Sequence, residues 1–266
     1  MARRASVYKK IRAANPAVLT VDAGDFGQLD NPRVPGGWKV TSYAAKTLGE
    51  IGCDAWTPGE RELLQGPLRL KTLVSDFGVP AVSANIRIDG KRLFKEKLIR
   101  NIGGIKVGIT GVTGPEVLLS GKEAGVAGDD AAAIWELADP VRTLTPIVAS
   151  LSKSCDVVVV LAHMAPPEAR HLAESVPGID VLVVGHVPGS GYDGERYADS
   201  WVMRTGQRGQ LVSRLELTVA DRAVTAATAV FEDLTPNLPH EADLQTRIAL
   251  FDAEIKALRE KVRTGG

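Results

Sequence analysis

Four residues far apart in the chain share one position: each stands at the end of a strand-like run. Asp25 closes "VLTVDAGD" (residues 18–25), and Glu60 follows the Pro-Gly turn of "DAWTPGERELLQG" (residues 54–66). His163 closes "DVVVVLAH" (156–163), and His186 closes "DVLVVGH" (180–186). In open α/β sheets, ligands collect beyond the carboxyl ends of the strands. Two carboxylates with two imidazoles make a four-donor set suited to Zn²⁺, Mn²⁺ or Fe. A lone histidine at a strand end is ordinarily a hydrogen-bonded structural residue, but four donors at equivalent places point to a shared cation. The turn before Glu60 raises a second question, because Glu60, Arg61 and Glu62 place three charges where a solvent-facing helix needs one or two. One answer is a surface helix start whose acids favour the helix dipole by ~0.3–1 kcal/mol for each charge.

The elements that must carry these residues are legible as runs and periods. The three Val/Leu runs are near-continuous, the mark of strands buried on both faces. Helical periodicity covers 42–51, 62–76, 131–152 and 167–175, while "PAVSANI" and a hairpin around Gly103-Gly104 read as further strands. The hairpin explains the glycines of "NIGGIKVG" without a phosphate cradle. "WVMRTG", "QLVSRLELTV" and "AVTAATAVFEDL" follow without helices, as a meandering antiparallel part. Mixed βα units and hairpins predict an α/β chain of two packed sheets with helices outside. From residue 240 to 262, Leu244, Ile248, Phe251, Ile255, Leu258 and Val262 recur at steps of four and three, one apolar stripe along a long helix. That helix packs on its own domain or connects to a second one. The expected division is a domain over 1–237 and a helix over 238–266.

With 266 residues the chain can bury a sizeable core, and 32 basic residues balance 32 acidic ones. That balance lacks the electrostatic footprint of a nucleic-acid polymer binder or a membrane-surface binder. No apolar run approaches the ~20 residues that span a bilayer. Cys53 and Cys155 each precede an apolar run, so burial accounts for them better than a disulfide. His171 lies in a helical segment and His240 near a helix start, and both read as solvated or capping residues. The start, "MARRASVYKK", is basic and opens directly on a helix-like pattern, as though a segment preceded it.

Read in order, "VDAGDFGQ", "LGEIGCDAWTPGERELLQG", "SANIRIDGKRLFKEKLI", "VVVLAHM", "VPGIDVLVVGHVPG" and "VMRTGQRGQLVSRLEL" resemble the N-terminal catalytic domain of bacterial 5′-nucleotidases, in the calcineurin-like metallophosphoesterase superfamily. The likeness implies a four-layer αββα sandwich with a dinuclear metal site that hydrolyses phosphate esters. That family carries Asp-x-His, Gly-Asp, Gly-Asn-His-Glu, an isolated His and Gly-His-x-His. By resemblance, Asp25 bridges the metals, His163 and His186 are ligands, and Glu60 replaces the Asn while still offering an oxygen. Arg61 replaces the catalytic His, and Leu64 falls where an Asp orients that His. Pro188 replaces the last His, and the Asp-x-His motif is absent. One metal position keeps four ligands and the other keeps only Asp25, so about one ion per chain is expected, where two-metal hydrolysis needs two at ~3.5–4 Å.

A glutamate ligand neutralises more of a cation's charge than an asparagine does, and the adjacent guanidinium restores a positive charge. The planar fork of Arg61 suits a pair of phosphate oxygens, although it cannot donate a proton as His does. Gln207 and Arg208 of "GQRGQ" are candidates for substrate contact, with a plain turn the alternative. Gly-Glu-Arg also resembles an exported branch of the family, often beside multihaem cytochrome modules, in which a Cys-Gly-Cys segment precedes a run like "ARRA". By that resemblance, a segment preceding the present start would bring thiolates rather than Asp and His to the second metal position, and the protein would be exported. The substrate implied is a small phosphate ester or a nucleotide. The rival expectation is an inactive metal- or phosphate-binding module with a second domain or a redox partner.

Overall fold

The β-branched runs do form the interior strands, and their alternation decides which side chains meet. A computed structural model describes residues 1–29, 34–76, 78–117, 135–186, 194–204, 206 and 209–264. The first half comprises α1 (Ala2–Ala14), β1 (Val21–Asp22), α2 (Gly37–Glu50), β2 (Ala55–Trp56), α3 (Glu60–Leu63), α4 (Pro67–Asp76), β3 (Ile86–Ile88), β4 (Lys91–Arg92), β5 (Lys97–Ile102) and β6 (Ile105–Thr113). The second comprises β7 (Trp135–Leu137), α5 (Pro140–Ser154), β8 (Val157–His163), α6 (Pro166–Ser175), β9 (Val181–Gly185), β10 (Gly194–Tyr197), β11 (Ser200–Arg204), β12 (Leu211–Ala220), β13 (Ala223–Asp233) and α7 (Ala242–Arg263).

A six-stranded sheet runs in the order β10-β11-β9-β8-β6-β5, parallel inside and antiparallel at both edges. Facing it, β1 and β2 pair in parallel, and single parallel bridges extend them through Ala81 and Val82. The β12–β13 hairpin joins this second layer through Leu215, Leu217, Val219 and Val224, which share the inter-sheet core with Val157, Val159 and Leu161. On the far side of the six-stranded sheet, α5 and α6 bury Leu144, Leu151 and Leu172 against Val158, Val160 and Ala162. On the far side of β2, residues of α1, α2, α4 and α7 pack around Trp56, Ala81 and Ile86. These are the four αββα layers expected from the sequence.

The period of two along β8 has a direct chemical consequence. Val158, Val160 and Ala162 face the helices, whereas Val157, Val159 and Leu161 face the second sheet. His163 falls in the second set, so its ring points toward the layer that carries Asp25 and Glu60.

Three helix boundaries differ from expectation, the first being α2, which begins at Gly37 rather than at residue 42. The 62–76 pattern is split: α3 ends at Leu63, and Gly66, in left-handed backbone (φ 88°), turns the chain before Pro67 opens α4. The pattern placed over 131–152 begins later, because residues 135–137 pair with β3 as a strand. Helix α5 starts where Asp139 accepts the backbone N–H of Arg142 (2.7 Å) and proline occupies the first helical position. No helix among the described residues is long and apolar enough to cross a membrane.

Candidate metal centre

Four loops deliver the site, and each is shaped by local chemistry. Asp25 and His186 both lie just past strand ends in left-handed backbone, φ 62° and 56°. Non-glycine residues held there cost of order 1–3 kcal/mol and persist only where surrounding contacts impose them. Glu60 begins the single-turn helix α3 after the Pro-Gly turn, and His163 ends β8. The glycines beside them allow the close approach: a Cβ on Gly59 would collide with Asp25 Oδ1, and one on Gly185 with the carbonyl of Ala23.

The four donors converge. One ligand atom from each of Asp25, Glu60, His163 and His186 lies within 4.8 Å of all the others. Glu60 Oε2 is the centre of the group, 2.7 Å from His163 Nε2 and 3.2 Å from His186 Nδ1. On its other side, His163 Nδ1 stands 2.6 Å from the Ala23 carbonyl, which can only accept, so Nδ1 carries a proton and Nε2 is the ligand atom. That bond fixes the tautomer and aim of the ring, and with mixed carboxylate and imidazole donors the arrangement suits a transition metal. The residues present therefore fit a divalent cation.

Protons hold the cluster together when no cation does. Burial by itself would depress the His163 imidazole, but hydrogen bonding to Glu60 and the charge of Asp25 prevail and raise it to about 9. Its contact with Glu60 likewise raises His186. Burial opposes ionisation of Glu60, yet hydrogen bonds from His163 and His186 outweigh it and hold the carboxyl well below the usual range. Asp25 moves the other way, to about 7, through burial and the neighbouring charge of Glu62.

Glu62 is the functional residue that the sequence concealed. A surface helix start would leave it in solvent, but it is 0% exposed. Its Oε2 accepts the backbone N–H groups of Asp25 (2.8 Å) and Gly59 (3.0 Å), and its Oε1 accepts that of Gly27 (2.8 Å). One carboxylate thus ties the Asp25 loop to the Glu60 turn. Asp22 secures the same loop from below by accepting the N–H of Gly24 (2.9 Å). Burial raises the Asp22 carboxyl, opposed chiefly by the Arg4 guanidinium. The sequence signals for Glu62 were the surplus of charge after the turn and its place three residues past Gly59, the spacing at which a Glu caps a helix start.

Arg61 lies beside the cluster. Its backbone N–H donates to Asp25 Oδ1 (3.0 Å), and its Nε is 3.5 Å from Asp25 Oδ2 with the side chain 54% exposed. Leu64 is buried in the helical layer with Trp56 and Leu70. Gln207, Arg208 and Pro188 fall outside the described residues. His240 is exposed, and His171 Nδ1 is 3.4 Å from the Ser175 hydroxyl on an exposed helix face. Both cysteines are buried free thiols.

Known proteins share this frame. The chain is 30% identical over 199 residues to bovine 5′-nucleotidase, a match covering 70% of this chain and 32% of that protein. It spans about one third of the length of the curated relatives it matches. The calcineurin-like phosphoesterase YfkN of Bacillus subtilis superposes with a TM-score of 0.78 at 21% identity, over 99% of this chain and 90% of that one. The sulfate thiohydrolase SoxB of Thermus thermophilus, solved with glycerol, gives a TM-score of 0.81 at 19% identity, over 97% of this chain and 47% of that one. No protein-family model matches the sequence. Sequence likeness to part of the 5′-nucleotidases and a four-layer frame shared with the calcineurin-like phosphoesterase YfkN converge, and the chain has the calcineurin-like phosphoesterase fold.

Proposed function

We propose that this chain is a phosphoesterase domain that holds one divalent transition metal, Zn, Mn or Fe, on Asp25, Glu60, His163 and His186. Its reaction is hydrolysis of a small phosphate ester, with nucleotides the leading class because the relatives are 5′-nucleotidases. The convergence of four ligand atoms within 4.8 Å carries this reading.

Hydrolysis forms a bond from water oxygen to phosphorus and breaks the bond to the ester oxygen, while charge grows on the phosphoryl oxygens. A divalent cation, when bound, supplies Lewis-acid stabilisation of that charge. Arg61 supplies a second positive group: half exposed beside Asp25, its guanidinium is open to an incoming phosphate. Because Arg stays protonated it holds the anion without giving up a proton, so the leaving oxygen takes its proton from water. Glu62 and Asp22 keep the loops in register, and the Ala23 carbonyl keeps the His163 ring aimed.

A second reading is a catalytically inactive metal- or phosphate-binding module, partnered with an exported redox protein. The guanidinium at position 61, which cannot act as a general acid, favours it.

Metal analysis of protein purified without chelator should find about one ion per chain, and His163→Ala should weaken affinity at least ~100-fold, more than loss of a group hydrogen-bonded to a ligand does. Phosphomonoesters, cyclic phosphodiesters and nucleotides, assayed with added Mn²⁺, Zn²⁺ or Fe²⁺, separate the two readings. Turnover that disappears in Asp25→Ala establishes the enzyme, and no turnover with any of them establishes the binding module. In the active case Arg61→Ala should lower kcat/KM by ~10²–10³ without changing metal content, as loss of one anion-stabilising donor does. An unchanged rate would remove Arg61 from the site.

A further inference from the structure

The long C-terminal helix grips the loop that carries the first ligand. Arg259, in the next-to-last turn of α7, donates from Nη2 to the side-chain oxygen of Gln28 (2.9 Å) and from Nε to the carbonyl of Pro35 (3.2 Å). Gln28 is three residues from Asp25 and is held from three further directions. Its N–H donates to Thr41 Oγ1 (2.9 Å), and its carbonyl accepts from Gln65 Nε2 (2.8 Å) and from the Thr41 hydroxyl (3.0 Å). Glu62 completes the grip from inside through Asp25 and Gly27. Helix α7 itself is anchored by Leu244 and Ile255 and by Phe251 stacked on Tyr43 with ring centres 4.1 Å apart, and Leu258 lies where a Cβ on Gly36 would crowd it. Much of its remaining surface is exposed, including Leu250 at 68%.

From this geometry we infer that Arg259 is a positioning residue for the metal centre: α7 braces the Asp25 loop through Gln28, so seating of the helix and cation affinity are coupled. The physical reason is the left-handed backbone at Asp25, which survives only while neighbouring contacts impose it. Glu62 imposes it from the interior, and the Gln28 clamp holds the residues that follow Asp25 up to Gln28. A guanidinium suits the role because its rigid fork bridges two acceptors, the Gln28 side chain and the Pro35 carbonyl, with fixed geometry that a lysine point charge lacks.

The inference rests on the proposed metal centre for its affinity arm but not for its loop arm. In metal-free protein, Arg259→Ala should speed amide hydrogen exchange at Gly27 and Gln28 about 10-fold, a local opening rather than global unfolding. Mn²⁺ affinity, measured by calorimetric titration, should fall about 3–10-fold, less than the ~10–100-fold that follows loss of a group bonded directly to a ligand, because Arg259 acts through Gln28. Gln28→Ala should reproduce both effects, and the double variant should add little, because one interaction is being removed twice. Lys39→Ala breaks the Lys39–Glu254 pair between α2 and α7 without touching the loop, and should change neither quantity. Unchanged exchange in both Arg259→Ala and Gln28→Ala overturns the inference, as does faster exchange with undiminished affinity. A wild-type chain that binds no Mn²⁺, Zn²⁺ or Fe²⁺ removes the metal reading instead, and the exchange arm then still decides whether α7 braces the loop.

Discussion

Glu62→Ala is expected to lower folding stability by about 3–5 kcal/mol and to disperse the metal site. The variant strands three N–H groups, those of Asp25, Gly27 and Gly59, around a side chain with no exposed surface. Each buried donor left without a partner costs ~1–3 kcal/mol. Relief of the desolvated carboxylate, whose ionisation burial disfavours, offsets part of that sum. With the clamp gone, the left-handed backbone at Asp25 relaxes and the carboxylate departs from Glu60 and His163. Glu62→Gln should lose about half as much, because one amide oxygen still accepts two N–H groups while its NH₂ meets the third donor head-on. Urea unfolding in the presence of chelator measures the first effect and metal titration the second. Stability within ~0.5 kcal/mol of wild type, the scatter of surface substitutions, would mean the carboxylate does not hold the loops.

The contrast between Glu60 and Glu62 shows what local patterns carry. Asp25, His163 and His186 were legible because continuous apolar runs stop at them, and strand ends in an α/β sheet gather on one side of the molecule. Glu60 was legible through the Pro-Gly turn. Even the face of His163 follows from parity along β8, given which face meets the second sheet. Glu62 was not, because two of its three partners are backbone N–H groups 35 and 37 residues away, and only the bond to Gly59, three residues back, has a spacing that a sequence records, that of a helix cap. The Arg259–Gln28 bond, spanning 231 residues, was hidden for the same reason. Helix α5 was misplaced at its start because composition over 131–139 is helix-compatible, whereas pairing of residues 135–137 with β3 is a tertiary choice that overrides propensity. The Asp139-Pro140 start signal was present and stronger than the periodicity.

Glu60 and Arg61 make sense together once their distances are known. Glu60 Oε2 faces both imidazoles, and Arg61 faces Asp25, so each new charge is set against an opposite one. An asparagine at position 60 would leave His163 and His186 without the anion that keeps them protonated in metal-free protein. The same anion, once those protons leave, adds to the attraction for a cation. On the proposed metal reading the centre exchanges protons for a cation, and that exchange has a measurable sign.

Metal affinity should rise steeply with pH. His163 in the metal-free protein holds its proton up to about 9, and Asp25 up to about 7, while Glu60 is ionised throughout the neutral range. Binding must release those protons, so log K should climb with a slope of at least ~1 between pH 7 and 9 and at least ~2 below pH 7, a change of roughly 10⁴ between pH 9 and 6. The raised His186 makes the slope steeper still. Stability of the metal-free chain should run the opposite way. A folded-state value raised above its ordinary one means that the native state binds more protons than the unfolded state. The contribution of Asp25 is thus lost as pH rises from about 4 towards 7, and that of His163, complete below about 6.5, is lost as pH rises through about 9. Metal-free protein should therefore melt at a lower temperature at pH 9 than at pH 6, whereas addition of Mn²⁺ should raise Tm more at pH 9 than at pH 6. Melting curves at the two pH values, with chelator and with metal, test both signs at once. A Mn²⁺ shift independent of pH would show that the cation binds without displacing protons from His163, and the four-donor centre would be wrong.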